Sequence, residues 1–206
     1  ILHIHKMTTK PKKLLLARHA STGPEYQGRF VGASDIPLSE SGPEEVARLA
    51  GVVASFGPEV TFCSPLLRAR QTLELLAGIT GGGPIQVDAD LREIDFGRWE
   101  RLSFAEIAAG DSELVKRWSA WAEDFAFPDG EAVGAFLART GAAAARLAGR
   151  PEETILVVAH GGVVRALLCH FLKLPPRHYL LFDVKPARLA TIDLFPEGGV
   201  LTGLNL

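Results

Sequence analysis

Two short apolar runs, Leu14–Ala17 and Ile155–Ala159, each give way to a histidine, His19 behind Arg18 in the first case and His160 in the second. Runs of this length without polar alternation read as strands covered on both faces, the condition of a parallel sheet flanked by helices. A third run, Glu59–Cys63, ends at Ser64-Pro65. After the first run, Ser41 and Glu44 stand at capping-box spacing, and Val46, Leu49, Ala50 and Val53 recur at helical intervals. Ser64 as N-cap and Pro65 as first helical residue open a helix to about Ala77. Ile85–Val87 reads as a short strand, Glu131–Ala148 and the stretch from Gly161 to Leu172 as helices, and Tyr179–Val184 and Leu189–Leu194 as closing strands. Strands alternating with helices imply an α/β sheet covered on both faces.

The 206 residues suit one domain with an insertion. The insertion falls at about 91–130, where Trp99, Trp118, Trp121, Phe125 and Phe127 crowd onto helices expected from Leu102 and from Ser112. These aromatics are core by default, with Trp99 or Trp121 the candidates for a substrate mouth. Lys and Arg number 22 against 24 Asp and Glu, a balance of −2 that argues against a general nucleic-acid binder. Any anion site must then be made locally, from a few cations gathered in a cleft. Cys63 and Cys169 sit in apolar surroundings and read as buried thiols of a reducing compartment. No stretch approaches the roughly 20 apolar residues that span a bilayer. The expected location is the cytoplasm. Residues 1–12, with His3 and His5, read as a loose terminus, native or added.

In open α/β sheets, ligands sit at the carboxyl ends of strands and near helix N-termini. Arg18, His19, Arg68 and His160 all lie where strands run out. Singly, each has a plain structural reading: a strand-end histidine is ordinarily structural, and Arg68 suits a solvated first turn. Together, two guanidiniums offer forked donors for phosphate oxygens. Two imidazoles beside them make sense if one attacks phosphorus and the other holds the transferred group.

Arg18-His19-Ala20-Ser21-Thr22 resembles the Arg-His-Gly signature of the histidine phosphatase (phosphoglycerate mutase-like) superfamily. Similar blocks follow in the family's order: Gly28–Gly32, Asp35–Ser39, Cys63–Thr72, Leu91–Glu100, Pro128–Glu131 and Val157–Arg165. The resemblance implies a three-layer α/β/α sandwich, a mostly parallel central sheet in a single domain over 13–206, with a small helical cap at about 91–130. It implies His19 as nucleophile through a phosphohistidine, with Arg18, Arg68 and His160 clamping the phosphoryl oxygens and Glu93 as proton donor. Ser21, Thr22, Arg29 and Gly161 would help hold the phosphate. No metal and no cofactor are implied. The partner is a small phosphorylated metabolite, without nucleic acid or membrane, and relatives of this kind commonly form homodimers.

Two departures stand out. Ala20 replaces the usual Gly, and Glu25 falls where many members carry an Asn near the phosphate, so Glu25 is expected to turn away. Gly162 after His160-Gly161, and the Ile94–Glu100 pattern after Glu93, look like the phosphatase branch with α-ribazole phosphatases. A phosphomonoester hydrolase is therefore the first reading. A cofactor-dependent phosphoglycerate mutase and a catalytically impaired phosphate-binding module are the alternatives.

Overall fold

The computed structural model describes residues 10–80, 83–120 and 124–206. Leu14, Leu15, Leu16 and Ala17 are all buried, which explains why the first run shows no alternation. The strands are β1 (Lys12–Arg18), β2 (Val60–Cys63), β3 (Ile85–Val87), β4 (Thr154–Ala159), β5 (Leu189–Phe195) and β6 (Gly198–Gly203). They form one sheet in the order β3-β2-β4-β1-β5-β6. β1 to β4 run parallel, and β5 is antiparallel to both β1 and β6. The helices are α1 (Gly42–Phe56), α2 (Leu67–Thr80), α3 (Phe104–Gly110), α4 (Ser112–Ser119), α5 (Val133–Ala148) and α6 (Gly161–Phe171).

Successive strand residues point to opposite faces. Leu14, Leu16, Ile155 and Val157 join the cluster that holds Leu147 of α5 and Val163 and Leu167 of α6. Leu15, Ala17, Leu156 and Val158 join Val46 and Leu49 of α1 and Leu73 and Leu76 of α2. Each such buried leucine is worth roughly 1.5–3 kcal/mol. The result is the three-layer α/β/α architecture, with both sheet faces covered.

The closing elements differ from the sequence expectation. Tyr179–Val184 is not a strand: Pro175-Pro176 leads into a 3-10 turn over Pro176–Leu181, and Leu180 and Leu181 are 69% and 75% exposed. A proline supplies no ladder N–H and sets φ for such a turn. The last strand is β6 instead, and its glycines at 198, 199 and 203 dilute the apolar signal. Ser41 precedes α1 without a side-chain cap: its backbone is already helical and its hydroxyl donates to Glu45 Oε1, while Glu44 pairs with Arg48. α2 begins at Leu67, not Pro65, and Ser64 is turned toward His160. The capping box present is Ser103 with Glu106 at the start of α3. Cys63 and Cys169 are buried and unbridged, and burial pushes the Cys63 thiol up to about 12. Among the described residues no helix is long and apolar enough to cross a membrane. Residues 1–9, with His3 and His5, and Trp121 lie outside the described residues.

After β1 the chain passes to α1 on one face, and after β4 to α6 on the other. Neighbouring strands whose helices leave to opposite faces open a crevice at their carboxyl ends. Arg18 is in register with Ala159, and Cys63 with Val158. The residues that follow, His19, His160 and Ser64, therefore emerge side by side into that crevice.

Candidate active site

His19 is pinned as it leaves β1, its N–H donating to Ala159 O at 2.9 Å. Its Nδ1 lies 2.7 Å from Ala20 O. A carbonyl accepts only, so Nδ1 carries the proton and Nε2 keeps its lone pair. Burial, then Arg68 and Arg18, hold this imidazole well below the usual histidine range, so it is neutral near pH 7. Arg68 Nε donates to His19 Nε2 at 3.2 Å. The rest of the Arg68 guanidinium is fixed by Ser34 O and Gly32 O, each 2.8 Å away.

The ring centroids of His19 and His160 are 5.1 Å apart. His160 is fully buried, and its Nε2 shares a 2.7 Å hydrogen bond with Ser64 Oγ. Leu66 N–H donates to the same hydroxyl oxygen at 3.3 Å; with the hydroxyl proton turned to His160 Nε2, the ring proton stands on Nδ1. Burial, followed by Arg68, His19 and Arg18, keeps His160 well below the usual range. Arg18 Nη1 donates to Val184 O at 2.8 Å. Arg18 Nε and His160 Nδ1 are buried without a partner. Two such donors cost about 1–3 kcal/mol each until something accepts from them. Among the described residues neither Arg18 nor Arg68 is within 4.0 Å of a carboxylate oxygen. This surplus of positive charge is what an incoming anion would neutralise.

Glu93 is buried beside this cluster. Gly162 N–H donates to its Oε2 at 2.8 Å and Ile94 N–H to its Oε1 at 3.1 Å. A Cβ at residue 162 would fall 2.5 Å from Oε1, so a glycine there makes room for the carboxyl. At Gly161 a Cβ would meet the Arg18 Cζ at 3.5 Å, an ordinary contact, so Gly161 lies against the guanidinium without being required for its approach. Ala20 packs into the core under α1, and its N–H donates to Thr72 Oγ1 at 3.0 Å, so the added methyl is accommodated.

The crevice has two lobes. A polar lobe of about 450 Å³ contains His19, Arg68, Ser21 and Thr22. A more apolar lobe of about 290 Å³ is lined by aromatic and aliphatic side chains, with Arg18, Arg29, Glu93 and Arg165 on its rim. Arg18, Arg29, Glu93 and Gly161 border both. The phosphate-site candidates other than His160 thus border these lobes, and His160 lies fully buried against His19. Arg29 sits at the mouth but donates to Arg101 O and Glu106 Oε2 at 2.9 and 3.0 Å. Glu25 is exposed and outside both lobes, its carboxyl folded over Gly23. Trp99 is not at the mouth: it is fully buried, its Nε1 donating to Asp111 Oδ2 at 2.6 Å. Trp118 lines the apolar lobe instead.

Several supporting residues escaped the sequence reading. Glu100 accepts from the N–H groups of Gly32, Ala33, Ser34 and Phe96, fixing the loop whose carbonyls hold Arg68. Arg139 donates to the carbonyls of Asp90, Arg92 and Glu93 and pairs with Glu131 at 2.7 Å, clamping the segment that presents Glu93. Glu45 accepts from Ser21 N–H at 2.8 Å. Glu100 and Glu131 lay inside the matched sequence blocks, which was their only signal. Among the described residues no three His, Cys, Asp or Glu side chains gather as a metal site.

The family model of the histidine phosphatase superfamily (branch 1) matches residues 14–206. The adenosylcobalamin/α-ribazole phosphatase of Escherichia coli (strain K12) is 30% identical over 197 residues, covering 94% of this chain and 95% of that protein. A glucosyl-3-phosphoglycerate phosphatase of Mycobacterium tuberculosis is 32% identical over 177 residues, covering 81% and 78%. Among solved structures, the α-ribazole phosphatase from Shigella flexneri superposes with a TM-score of 0.84 at 28% identity, covering 94% and 96%. A mycobacterial glucosyl-3-phosphoglycerate phosphatase in complex with VO3 gives 0.80 at 29% identity, covering 94% and 98%.

Proposed function

The chain belongs to branch 1 of the histidine phosphatase superfamily, and from that premise we propose that it hydrolyses phosphomonoesters through a phosphohistidine on His19. The observation that carries the reading is a neutral, buried His19 whose unprotonated Nε2 accepts from Arg68 Nε, beside two buried nitrogens, Arg18 Nε and His160 Nδ1, that have no partner.

His19 Nε2 attacks phosphorus while its Nδ1–H stays on the Ala20 carbonyl. The P–O bond to the leaving group breaks, and Glu93 protonates the departing oxygen, releasing an alcohol. Arg18, Arg68 and His160 Nδ1–H take the three non-bridging oxygens, so charge moving across the phosphoryl group always meets a donor. Water then attacks the phosphohistidine, giving its proton to the Glu93 carboxylate. The N–P bond breaks, inorganic phosphate leaves, and His19 is neutral again. Ser21, Thr22 and the Gly161 end of α6 border the phosphate space and add N–H and hydroxyl donors. The guanidiniums supply the cationic charge, so the scheme calls for no metal ion.

α-Ribazole phosphate or a sugar phosphate are the substrates to which the relatives' names point. Residues 13–206 act in this reading as one catalytic domain with 91–130 as cap, working in the cytoplasm as a homodimer after the family's habit. Reduced, buried thiols support the compartment.

Rapid quench with a 32P-labelled monoester, chelator present, tests the chemistry. An acid-labile, base-stable protein adduct that vanishes in His19→Ala, along with turnover, is expected. Turnover that persists in His19→Ala refutes the nucleophile. Absence of any phosphate release from the wild type, with phosphate still bound, favours the binding module.

A further inference from the structure

We propose that the leaving alcohol of the substrate carries a flat, uncharged aromatic group and that this group occupies the apolar lobe. The inference rests on the phosphatase reading above and narrows it to a class of substrate.

Position comes first. In-line displacement requires nucleophile, phosphorus and leaving oxygen to lie roughly on one line. His19 and Arg68 line the polar lobe alone, whereas Glu93, the group that meets the leaving oxygen, stands on the wall common to both lobes. The leaving group therefore departs away from His19, past Glu93, and what lies past Glu93 is the apolar lobe.

Chemistry comes second. The rings of Phe30, Phe96, Trp118, Phe125, Phe127 and Phe136 line that lobe, with Val31, Ile94, Val133 and Leu137 between them. They already meet one another edge-on, Phe30 with Trp118 at 5.6 Å and Phe96 with Phe127 at 4.9 Å, the arrangement a further ring would extend. Among the described residues no Ser, Thr, Asn, Gln or Asp side chain lines the lobe, and Tyr179 brings a hydroxyl. Of its charged groups, Arg29 is engaged with Glu106, Arg165 Nε with Phe182 O and the Glu93 carboxyl with two backbone N–H groups. Arg18 stands on the wall shared with the polar lobe, where its unpartnered Nε serves the phosphate. A polyhydroxylated group entering here would lose water from each hydroxyl with few partners in return. A flat apolar ring would lose nothing comparable and would cover aromatic surface. The lobe, at about 290 Å³, is at the small end of ligand pockets, which suits a compact ring system.

The test compares kcat/KM for phosphomonoesters that all leave as primary alkoxides, so that intrinsic reactivity is nearly constant: naphthylethyl, ethyl and glycerol phosphates, ribose 5-phosphate and 3-phosphoglycerate. The naphthylethyl ester is expected to exceed ethyl phosphate by about 30-fold or more. Trp118→Ala should cut that ratio at least about fivefold; the ratio is the readout because a general folding defect scales both esters together. If that variant fails to fold, the wild-type ratio alone decides. A ratio within about threefold, or a better kcat/KM for glycerol phosphate, ribose 5-phosphate or 3-phosphoglycerate, overturns the inference. So does turnover of p-nitrophenyl phosphate with every alkyl ester inert. Failure to turn over p-nitrophenyl phosphate as well overturns the phosphatase reading itself.

Discussion

Gly162→Ala should separate proton donation from phosphoryl transfer. The added Cβ would stand 2.5 Å from Glu93 Oε1, whereas ordinary contact begins near 3.4 Å. The carboxyl must retreat by about 0.9 Å or swing off the Gly162 N–H that holds it at 2.8 Å. Displacing a catalytic group by about 1 Å costs on the order of 100-fold in rate, or about 2.7 kcal/mol of barrier. Ethyl phosphate, whose alkoxide cannot leave unprotonated, should lose that factor in its first turnover. p-Nitrophenyl phosphate needs no proton, so its first turnover should slow by less than about fivefold. Its steady state should still fall, because water attack also uses Glu93, and a burst of nitrophenolate should appear. Stopped-flow absorbance follows nitrophenolate, and rapid-quench formation of 32P-phosphoenzyme follows the first step of ethyl phosphate. Equal loss for both in the first turnover, or no loss for either, refutes the assignment of Glu93 as the proton donor. The residue lies in the first turn of α6, a conformation alanine accepts, so the thermal midpoint should stay within about 3 °C of wild type.

Acid should destabilise the protein through its two buried histidines. Both are held neutral in the folded state, well below 6.5, by burial and by the neighbouring arginines. Below pH 6.5 the unfolded chain takes up protons that the folded one does not. This contribution is thus complete above 6.5 and shrinks as pH falls, by up to about 1.4 kcal/mol per pH unit per histidine. Denaturant melts at pH 7.5 and 5.5 should show a shallower decline in His160→Gln. Arg139→Met leaves Glu131 half-buried and unpaired and frees three carbonyls, for a loss of about 3 kcal/mol; calorimetry should show a midpoint lowered by roughly 6–12 °C. Glu100→Ala releases the loop that orients Arg68, so inorganic phosphate should inhibit at least about tenfold more weakly, with stability falling less than in Arg139→Met.

The central strands were legible because burial on both faces forces an unbroken apolar run, and the four polar residues at their ends were legible because such runs stop abruptly. β6 was not, since Gly198, Gly199 and Gly203 pair through their backbones without an apolar side chain to announce it. Tyr179–Val184 has strand-like composition, yet the prolines before it decide the conformation. Glu100 and Arg139 act on backbone groups 46 to 68 residues away for most of their bonds, and no local pattern encodes such contacts. Ser64 illustrates another case: the Ser-Pro pair suggests a helix start, but the helix begins at Leu67 and the serine hydroxyl is shared between His160 and the Leu66 N–H.

The contact between Arg68 Nε and His19 Nε2 has a consequence for the unliganded protein. The electron pair that attacks phosphorus is, at rest, engaged by the protein's own cation. A neutral alkylating reagent that modifies ordinary histidines meets an occupied nitrogen. Two backbone carbonyls hold that guanidinium in place, and an oxyanion can offset the loss of its contact with His19 where a neutral reagent cannot.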